Sequence, residues 1–499
     1  MTTPFIKRTG LATAELITGN TPPITVIGNE AICDAFEPDT IAQAVNARRC
    51  PGVTDLILNP DAHVGYGAPI GCVLLSPSHI YPGPVGVDVK CSMSLLQFDI
   101  PTADLADKRL RRAIINAIEQ RITTGFASSK SLKKAPKFTD EQARQAIIEG
   151  ASESVCEQFG IPFEWTQRCE DCQHFAEDGT TETLEKRFDE LVASELFRDL
   201  PRQLRQLGTY GGGNHFGECE DVQLCEEDSD SEQTARIAEV FGLRPGCAAF
   251  LSHCGSRGFG NIIARNQFKI LQSKFETWGI PFPADDKELV YAPVGTPEAT
   301  NYLNDMALGG NFATVNHLLI NVLIKDAFEE ILPGVKANLV YYISHNFIRR
   351  ETQGKDNSMT YVHRKGATRN LPAGHWQLKD TPFYETGHPI LLPGNPSSGS
   401  AVMVALPGAE LSRYSINHGA GRAMGRRDAQ RQLDQKTVND QFNAEDILTN
   451  CRNYPLDEAP VAYKDFNAVL ESVKQAGLAK EIARLHARFV IKDADKPDD

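Results

Sequence analysis

With 499 residues, 41% hydrophobic and 23% charged, the chain has the composition of a globular protein able to bury a large core. No run approaches the roughly 18 uninterrupted apolar residues of a membrane span, and the start, Met1-Thr2-Thr3-Pro4, lacks an apolar signal core, so a cytoplasmic protein is expected. A net charge of −14, from 51 basic and 65 acidic residues, speaks against a coat for nucleic acid but leaves room for a cleft where a few cations meet phosphate.

Along the chain, the first polar cluster, Asp61-Ala-His63-Val-Gly-Tyr-Gly, leads into an apolar run, Ile70 to Leu75, that reads as a buried strand. Next comes Gly83-Pro-Val-Gly-Val-Asp88-Val-Lys-Cys91, with a carboxylate and a thiol three residues apart. It reads either as a tight turn with a buried cysteine or as a turn offering two metal ligands. Leu110, Ala113, Ile114, Ala117 and Ile118 have helical spacing. Segments 123–200 and 220–240 carry none of the Gly, His, Asn and Arg clusters and are expected to be surface insertions on a single domain spanning 1–499. Within the first, Cys169, Cys172 and His174 lack a second pair at zinc-site spacing, and the 12 scattered cysteines are expected as reduced, mostly buried thiols.

Leu207-Gly-Thr-Tyr-Gly-Gly-Gly-Asn214-His215-Phe-Gly-Glu218 is glycine-rich and then presents amide, imidazole and carboxylate. The acidic run that begins at Glu218, continuing through Asp221 to Glu232, is expected as a solvated loop. Ala248 to Ser252 reads as a strand ending in His253, followed by Cys-Gly-Ser-Arg257. Leu319, Val322, Leu323 and Ala327 have helical spacing, and the strand-like Leu339 to Ser344 runs into His345 and Asn346. Three histidines at strand ends, with the Asp88 to Cys91 turn, supply imidazole, carboxylate and thiolate ligands suited to a divalent transition metal. A bridging thiolate would allow a pair of ions.

Val362-His-Arg364-Lys365-Gly-Ala-Thr-Arg369 gathers three cations round a glycine and reads as a phosphate cradle. Leu392-Pro-Gly-Asn395-Pro396-Ser397-Ser398-Gly-Ser400 offers hydroxyls and N–H groups for a nucleotide, or is a plain turn before the strand-like Ala401 to Leu406. Ser415-Ile-Asn-His418-Gly-Ala420-Gly421-Arg422 sets an imidazole before a glycine turn, with Arg426 one helical turn beyond Arg422. A neutral imidazole there can attack phosphorus and arginines can offset the developing charge. Phe466, Val469, Leu470 and Val473 suggest a last helix capped at Gly477. Helices and strands interleave without a regular rhythm, which points to a mixed α/β fold of irregular topology.

Taken in order, these motifs resemble those of the RtcB family of tRNA-splicing and RNA-repair ligases over nearly the whole chain. The stretches are D-A-H-V-G-Y-G-A-P-I-G, G-V-D-V-K-C, G-G-G-N-H-F, H-C-G-S-R-G, S-H-N, V-H-R-K-G-A-T-R and H-G-A-G-R, with Y-K-D at Tyr463 to Asp465. The resemblance implies that family's α/β fold, with central sheets and surrounding helices. It also implies GTP and two manganese ions per site: Asp88, Cys91 and His215 on one ion, and Cys91, His253 and His345 on the other. His418 matches the residue that takes GMP from GTP. Asn214, Glu218, Asn346, Ser400, Ala420, Gly421, Tyr463 and Lys492 match nucleotide-holding positions, and Arg257, Lys365, Arg422 and Arg426 match cations that meet RNA phosphates. The implied reaction joins 2′,3′-cyclic phosphate or 3′-phosphate RNA ends, such as tRNA halves, to 5′-hydroxyl ends. An end-processing enzyme that does not seal is the alternative. The chain departs from the pattern at Asn395, Pro396, Ser397 and Ser398, at Ser92, at Gly425 and at His317, and the resemblance assigns no role to Asp61 or His63.

Overall fold

The computed structural model describes residues 3–19, 21–125, 132–225, 231–353 and 358–493. Two strand pairs stand apart, His79–Ile80 with Ala292–Pro293 and Ala367–Arg369 with Ser415–Asn417, and most of its strands fall into two large sheets. The first has seven strands in the spatial order Phe5–Arg8, Thr13–Ile17, Ile24–Ile27, Asp55–His63, Ile70–Ser76, Ser358–Lys365, Asn346–Gln353. Its neighbours are antiparallel except Ile24–Ile27 and Asp55–His63, which run parallel across a connection containing the helix Pro38–Arg48. The second sheet runs Ala337–Ser344, Ser92–Pro101, Cys247–Cys254, Phe216–Leu224, Ala479–Lys492, Gly399–Ala405, Pro389–Asn395, with the short strand Leu448–Thr449 beside Ala479–Lys492.

Strand alternation explains how the sheets join. Ile57, Val73, Leu75 and Val362 of the first sheet share one apolar cluster with Ile390, Leu392, Ala401 and Met403 of the second. The intervening residues Leu56, Leu58, Cys72 and Leu74 turn to the largest core, and Leu391, Val402 and Val404 turn to another. Both faces are therefore buried, which is why these strands read as unbroken apolar runs.

Helices pack against the sheets, and Phe466, Leu470 and Val473 of the helix Phe466–Gln475 join the cluster between them. The expected helices appear as Lys108–Glu119, Pro297–Ile331 and Phe466–Gln475, the last followed by Gly477 at φ +69°. Pro297–Ile331 is long and apolar enough to cross a membrane, but 94% of its most apolar window is buried inside the protein. Residues 140–193 form the helices Asp140–Glu149, Glu153–Phe159 and Thr181–Ala193, whose apolar residues join the largest core. All 12 cysteines are free thiols.

One expectation is corrected. The first part of the acidic run is no solvated loop: Phe216–Leu224 is an inner strand, and Glu218, Glu220 and Asp221 are buried. Asp221 is paired with Arg488 on the neighbouring strand, and the apolar Cys219 and Val222 hold the strand in the sheet. Residues 226–230 of that run lie outside the described part.

Candidate metal centre and the cleft around it

Sheet register brings the ligand candidates together. Ser92 lies opposite Cys254 and Ser344, while His253 lies opposite both Met93 and Phe216. Cys91, His215 and His345 each flank one of these paired residues, so four neighbouring strands deliver Cys91, His215, His253 and His345 to the same end of the sheet. At His345 the chain leaves the second sheet, and at Asn346 it enters the first. The His345 N–H donates to the Cys91 carbonyl at 2.9 Å, closing this corner.

Two groups result, Asp88 with Cys91 and His215, and Cys91 with His253 and His345, each with ligand atoms within 4.8 Å of one another. Cys91 belongs to both. Its Sγ lies 3.5 Å from His215 Nε2 and 3.1 Å from His253 Nε2. His215 Nε2 lies 2.9 Å from Asp88 Oδ2, and His253 Nε2 lies 3.3 Å from His345 Nε2.

The outer nitrogens support a metal reading. His215 Nδ1 is 2.7 Å from the Tyr210 carbonyl and His253 Nδ1 is 3.1 Å from the Asn214 carbonyl. Each Nδ1 is therefore the donor to a backbone carbonyl, and each Nε2 is the nitrogen directed inward, where a bound cation would take its lone pair. Burial pushes the Cys91 thiol up and holds His253 and His345 well below the ordinary imidazole range. A bound cation reverses the cost for the thiol by stabilising its thiolate. Imidazole, thiolate and carboxylate converging in buried space fit a divalent transition metal. Gly255 makes the approach of Asp88 possible, since a Cβ there would lie 2.4 Å from its carboxylate.

His418 adjoins this cluster, its ring centroid 4.8 Å from that of His345. Its Nδ1 is 2.7 Å from Oδ2 of the fully buried Asp61, and its backbone N–H donates to the same oxygen at 3.2 Å. Asp61 thereby fixes ring and tautomer together, and Nε2 is the nitrogen left for chemistry. Gly421, at φ +73°, lets the H-G-A-G turn fold onto Asp61, because a Cβ would sit 2.3 Å from the Asp61 carbonyl. His63 turns its Nδ1 to that same carbonyl at 2.9 Å.

A cleft of about 550 Å³ is lined by all five ligand candidates and His418, together with Asn214, Asn346, Arg257, Lys365 and Arg426. A smaller pocket of about 30 Å³ collects Glu218, Ser400, Tyr463 and Lys492 beside Pro393–Pro396. In it, Glu458 accepts from Lys492 Nζ at 2.9 Å and from the Tyr463 hydroxyl at 2.6 Å. Burial pushes the Glu218 carboxyl up to about 8, against the pull of Lys492. Ala420 donates its N–H to the Pro393 carbonyl. Arg422 lies over the Tyr463 ring and bonds to Glu458 and the Asp457 carbonyl, and Arg426 bridges Asp457 to Asn214.

The expected phosphate cradle is corrected in two of its cations. Arg364 makes a bidentate pair with buried Glu351 at 2.7 and 2.9 Å, and Arg369 is paired with Glu170, Asp171 and Glu351. The strand Ser358–Lys365 turns successive side chains to opposite faces, so Arg364 enters the interior where Lys365 meets the cleft. Lys365 itself bonds to the carbonyls of Tyr66 and Ala68. In the loop 394–398, the N–H groups of Ser397 and Ser398 donate to Asn395 Oδ1 at 3.1 and 3.0 Å, so the loop satisfies its own donors.

Sequence reasoning left out Asp61 as partner of His418, Asp457 and Glu458 as acceptors, and Glu170, which takes the Ser344 N–H at 2.8 Å next to His345. Asp61 stood in a recognised motif but lies far from His418 in sequence. The Asp457-Glu458 pair and Glu170 stand in no pattern. The departures Ser92 and His317 meet: Ser92 Oγ and His317 Nδ1 are 2.9 Å apart, directly behind Cys91.

A family model described as tRNA-splicing ligase RtcB matches residues 43–493. The chain is 32% identical over 473 residues to a tRNA-splicing ligase RtcB of Archaeoglobus fulgidus, covering 92% of each. It is 30% identical over 486 residues to one of Pyrobaculum aerophilum, covering 94% of each. With an RNA-splicing ligase RtcB of Mycobacterium tuberculosis it shares 31% identity over 453 residues, 89% of this chain and 98% of that protein.

Proposed function

The chain belongs to the RtcB family and is an RNA ligase; from that premise we propose that it is GTP- and manganese-dependent and joins a 2′,3′-cyclic phosphate or 3′-phosphate end to a 5′-hydroxyl end through a guanylate on His418. The observation that carries this reading is His418, oriented by Asp61 and set against a cluster that shares Cys91. In the proposed centre Asp88, Cys91 and His215 would hold one manganese ion, and Cys91, His253 and His345 the other. When bound, such a pair offsets negative charge on the attacking and leaving oxygens of phosphoryl transfer.

His418 Nε2 attacks the α-phosphorus of GTP, forming a P–N bond as the bond to pyrophosphate breaks. Asp61 holds the Nδ1 proton and stabilises the charge that the ring gains. A cyclic phosphate end is first opened by water to a 3′-phosphate. An oxygen of that phosphate then takes the guanylate from His418, restoring the neutral ring. Finally the 5′-hydroxyl attacks the activated 3′-phosphate, closing the strand and releasing GMP. Asn214, Glu218, Asn346, Ser400, Ala420, Gly421, Tyr463 and Lys492 are assigned to the nucleotide, and Arg257, Lys365, Arg422 and Arg426 to RNA phosphates.

The test is incubation with manganese and α-labelled GTP, followed by a denaturing gel. A labelled, acid-labile band absent from His418→Ala supports the guanylate step, and a band that persists in that variant sinks it. A second reading, end processing without sealing, draws on the loop 394–398, where the N–H groups of Ser397 and Ser398 are taken by Asn395. Accumulation of 3′-phosphate or guanylylated ends without joined product would favour it.

A further inference from the structure

Resting on the ligase reading but using residues to which it gives no role, we infer that Tyr66 and Arg265 form a subsite for single-stranded RNA in the cleft beside His418, with Tyr66 stacking one base and Arg265 pairing with an adjacent phosphate.

The cleft wall is built for a polyanion. Its lining contains Arg257, Arg265, Lys365 and Arg426, and Asp88 is the one carboxylate among the described lining residues, in a protein whose net charge is −14. Lys365 is occupied by backbone carbonyls and Arg426 by Asp457 and Glu458. Among the described residues Arg265 is not paired with an acid. Arg257, Asn261 and Arg265 follow one another at four-residue spacing along the helix Arg257–Trp278, so they share the face that lines the cleft. Arg265 Nε donates to Asn261 Oδ1 at 2.8 Å. This steadies the guanidinium and leaves its two terminal nitrogens without a hydrogen bond among the described residues, a fork suited to phosphate.

Tyr66 is held with unusual care for a side chain that is 40% exposed. Gln43 brackets Gly65, donating to its carbonyl at 2.6 Å and accepting its N–H at 3.0 Å. Glu288 accepts the Gly67 N–H at 2.5 Å, and Lys365 bonds to the carbonyls of Tyr66 and Ala68. The Tyr66 ring stands perpendicular to that of Phe268, a residue of the same helix as Arg265, with centroids 5.0 Å apart and planes at 87°. A clamped turn that places a partly exposed aromatic ring in the lining of a cationic cleft matches the combination by which single strands are bound, a stacking platform beside a charged track.

The test is binding of labelled RNA oligonucleotides to the full chain, one ending in a 3′-phosphate and one in a 5′-hydroxyl, read by fluorescence anisotropy. Tyr66→Ala is expected to weaken one of the two strands about tenfold, and Tyr66→Phe by no more than about twofold. Arg265→Gln should lower the slope of log affinity against log salt by about 0.7, one phosphate contact on a single strand. The strand that loses affinity identifies which end uses the subsite. An abasic position near that end should weaken wild type but add nothing in Tyr66→Ala. Binding of both strands at wild-type affinity and salt slope in Tyr66→Ala and Arg265→Gln would overturn the subsite. Guanylate formation, which precedes RNA, should be unchanged in these variants. Its absence from the wild type would count against the ligase mechanism, while the binding comparison decides the subsite independently.

Discussion

A neutral imidazole carries one proton, and in His418 the place of that proton is set by Asp61, which takes Nδ1 and the backbone N–H on one carboxylate oxygen. Asp61→Asn keeps the volume but can present its amide N–H to Nδ1, which favours the tautomer with Nε2 protonated. We expect guanylate formation to fall by about 10²- to 10⁴-fold with metal content unchanged, as when the orienting carboxylate of a triad becomes an amide. A wild-type rate in that variant would make Asp61 merely structural. Cys91 allows a second test, because it alone stands in both ligand groups. If the centre holds the two manganese ions proposed, Cys91→Ala should remove both, measured per chain by elemental analysis, whereas His345→Ala should remove one. Equal losses from the two variants would argue against a bridging thiolate.

At the scale of elements, the helix Pro297–Ile331 shows packing overriding propensity. Replacing a helical glycine with alanine ordinarily stabilises by about 1 kcal/mol. At Gly310 a Cβ would lie 2.8 Å from the His174 ring and 3.0 Å from Phe347, and such overpacking costs about 1–3 kcal/mol. Gly310→Ala should therefore lower the urea midpoint, and a raised midpoint would show that the ring yields. The buried network around Glu351 has a pH signature. Although burial opposes ionisation, Arg364 and then Arg369 hold the Glu351 carboxyl down at about 2. A carboxyl depressed below its unfolded value near 4.5 contributes stability that is present above that value and lost as pH falls toward 2. The contribution is on the order of 3 kcal/mol. Glu351→Gln should flatten the fall of stability between pH 5 and pH 3 in urea titrations, and an unchanged slope would remove Glu351 from the acid response.

These elements also show what was legible in the sequence. The apolar runs at 70–75, 248–252, 339–344 and 401–406 became strands because alternating side chains enter different cores. The strand-end histidines were legible because a polar residue after an apolar run marks a sheet edge. Arg364 and Arg369 were not, since a cation's spacing does not reveal whether an acid from another segment, here Glu351 on the adjacent strand or the distant Glu170, will meet it inside. Glu218 and Asp221 misled for the same reason: local acidity says loop, and only the partner strand carrying Lys492 and Arg488 says otherwise.

At the scale of the molecule, the ligand candidates come from the 88–91 turn and from the ends of three strands, and the chain crosses between the two sheets among them. A metal bound there would tie segments distant in sequence, and whatever binds the folded chain and not the unfolded one adds RT ln(1 + [L]/Kd) to stability. At a free metal concentration about 100 times Kd this is about 2.7 kcal/mol, which for a chain of this length raises Tm by a few degrees. Stripping with a chelator should lower Tm by about that amount, and added manganese should restore it. Cys91→Ala should fold with a lower Tm that manganese does not move. Because nucleotide and RNA are absent from this experiment, it separates the metal site from the reaction: a Tm indifferent to chelator and manganese in the wild type would mean that the cluster holds no ion, whatever activity the protein displays.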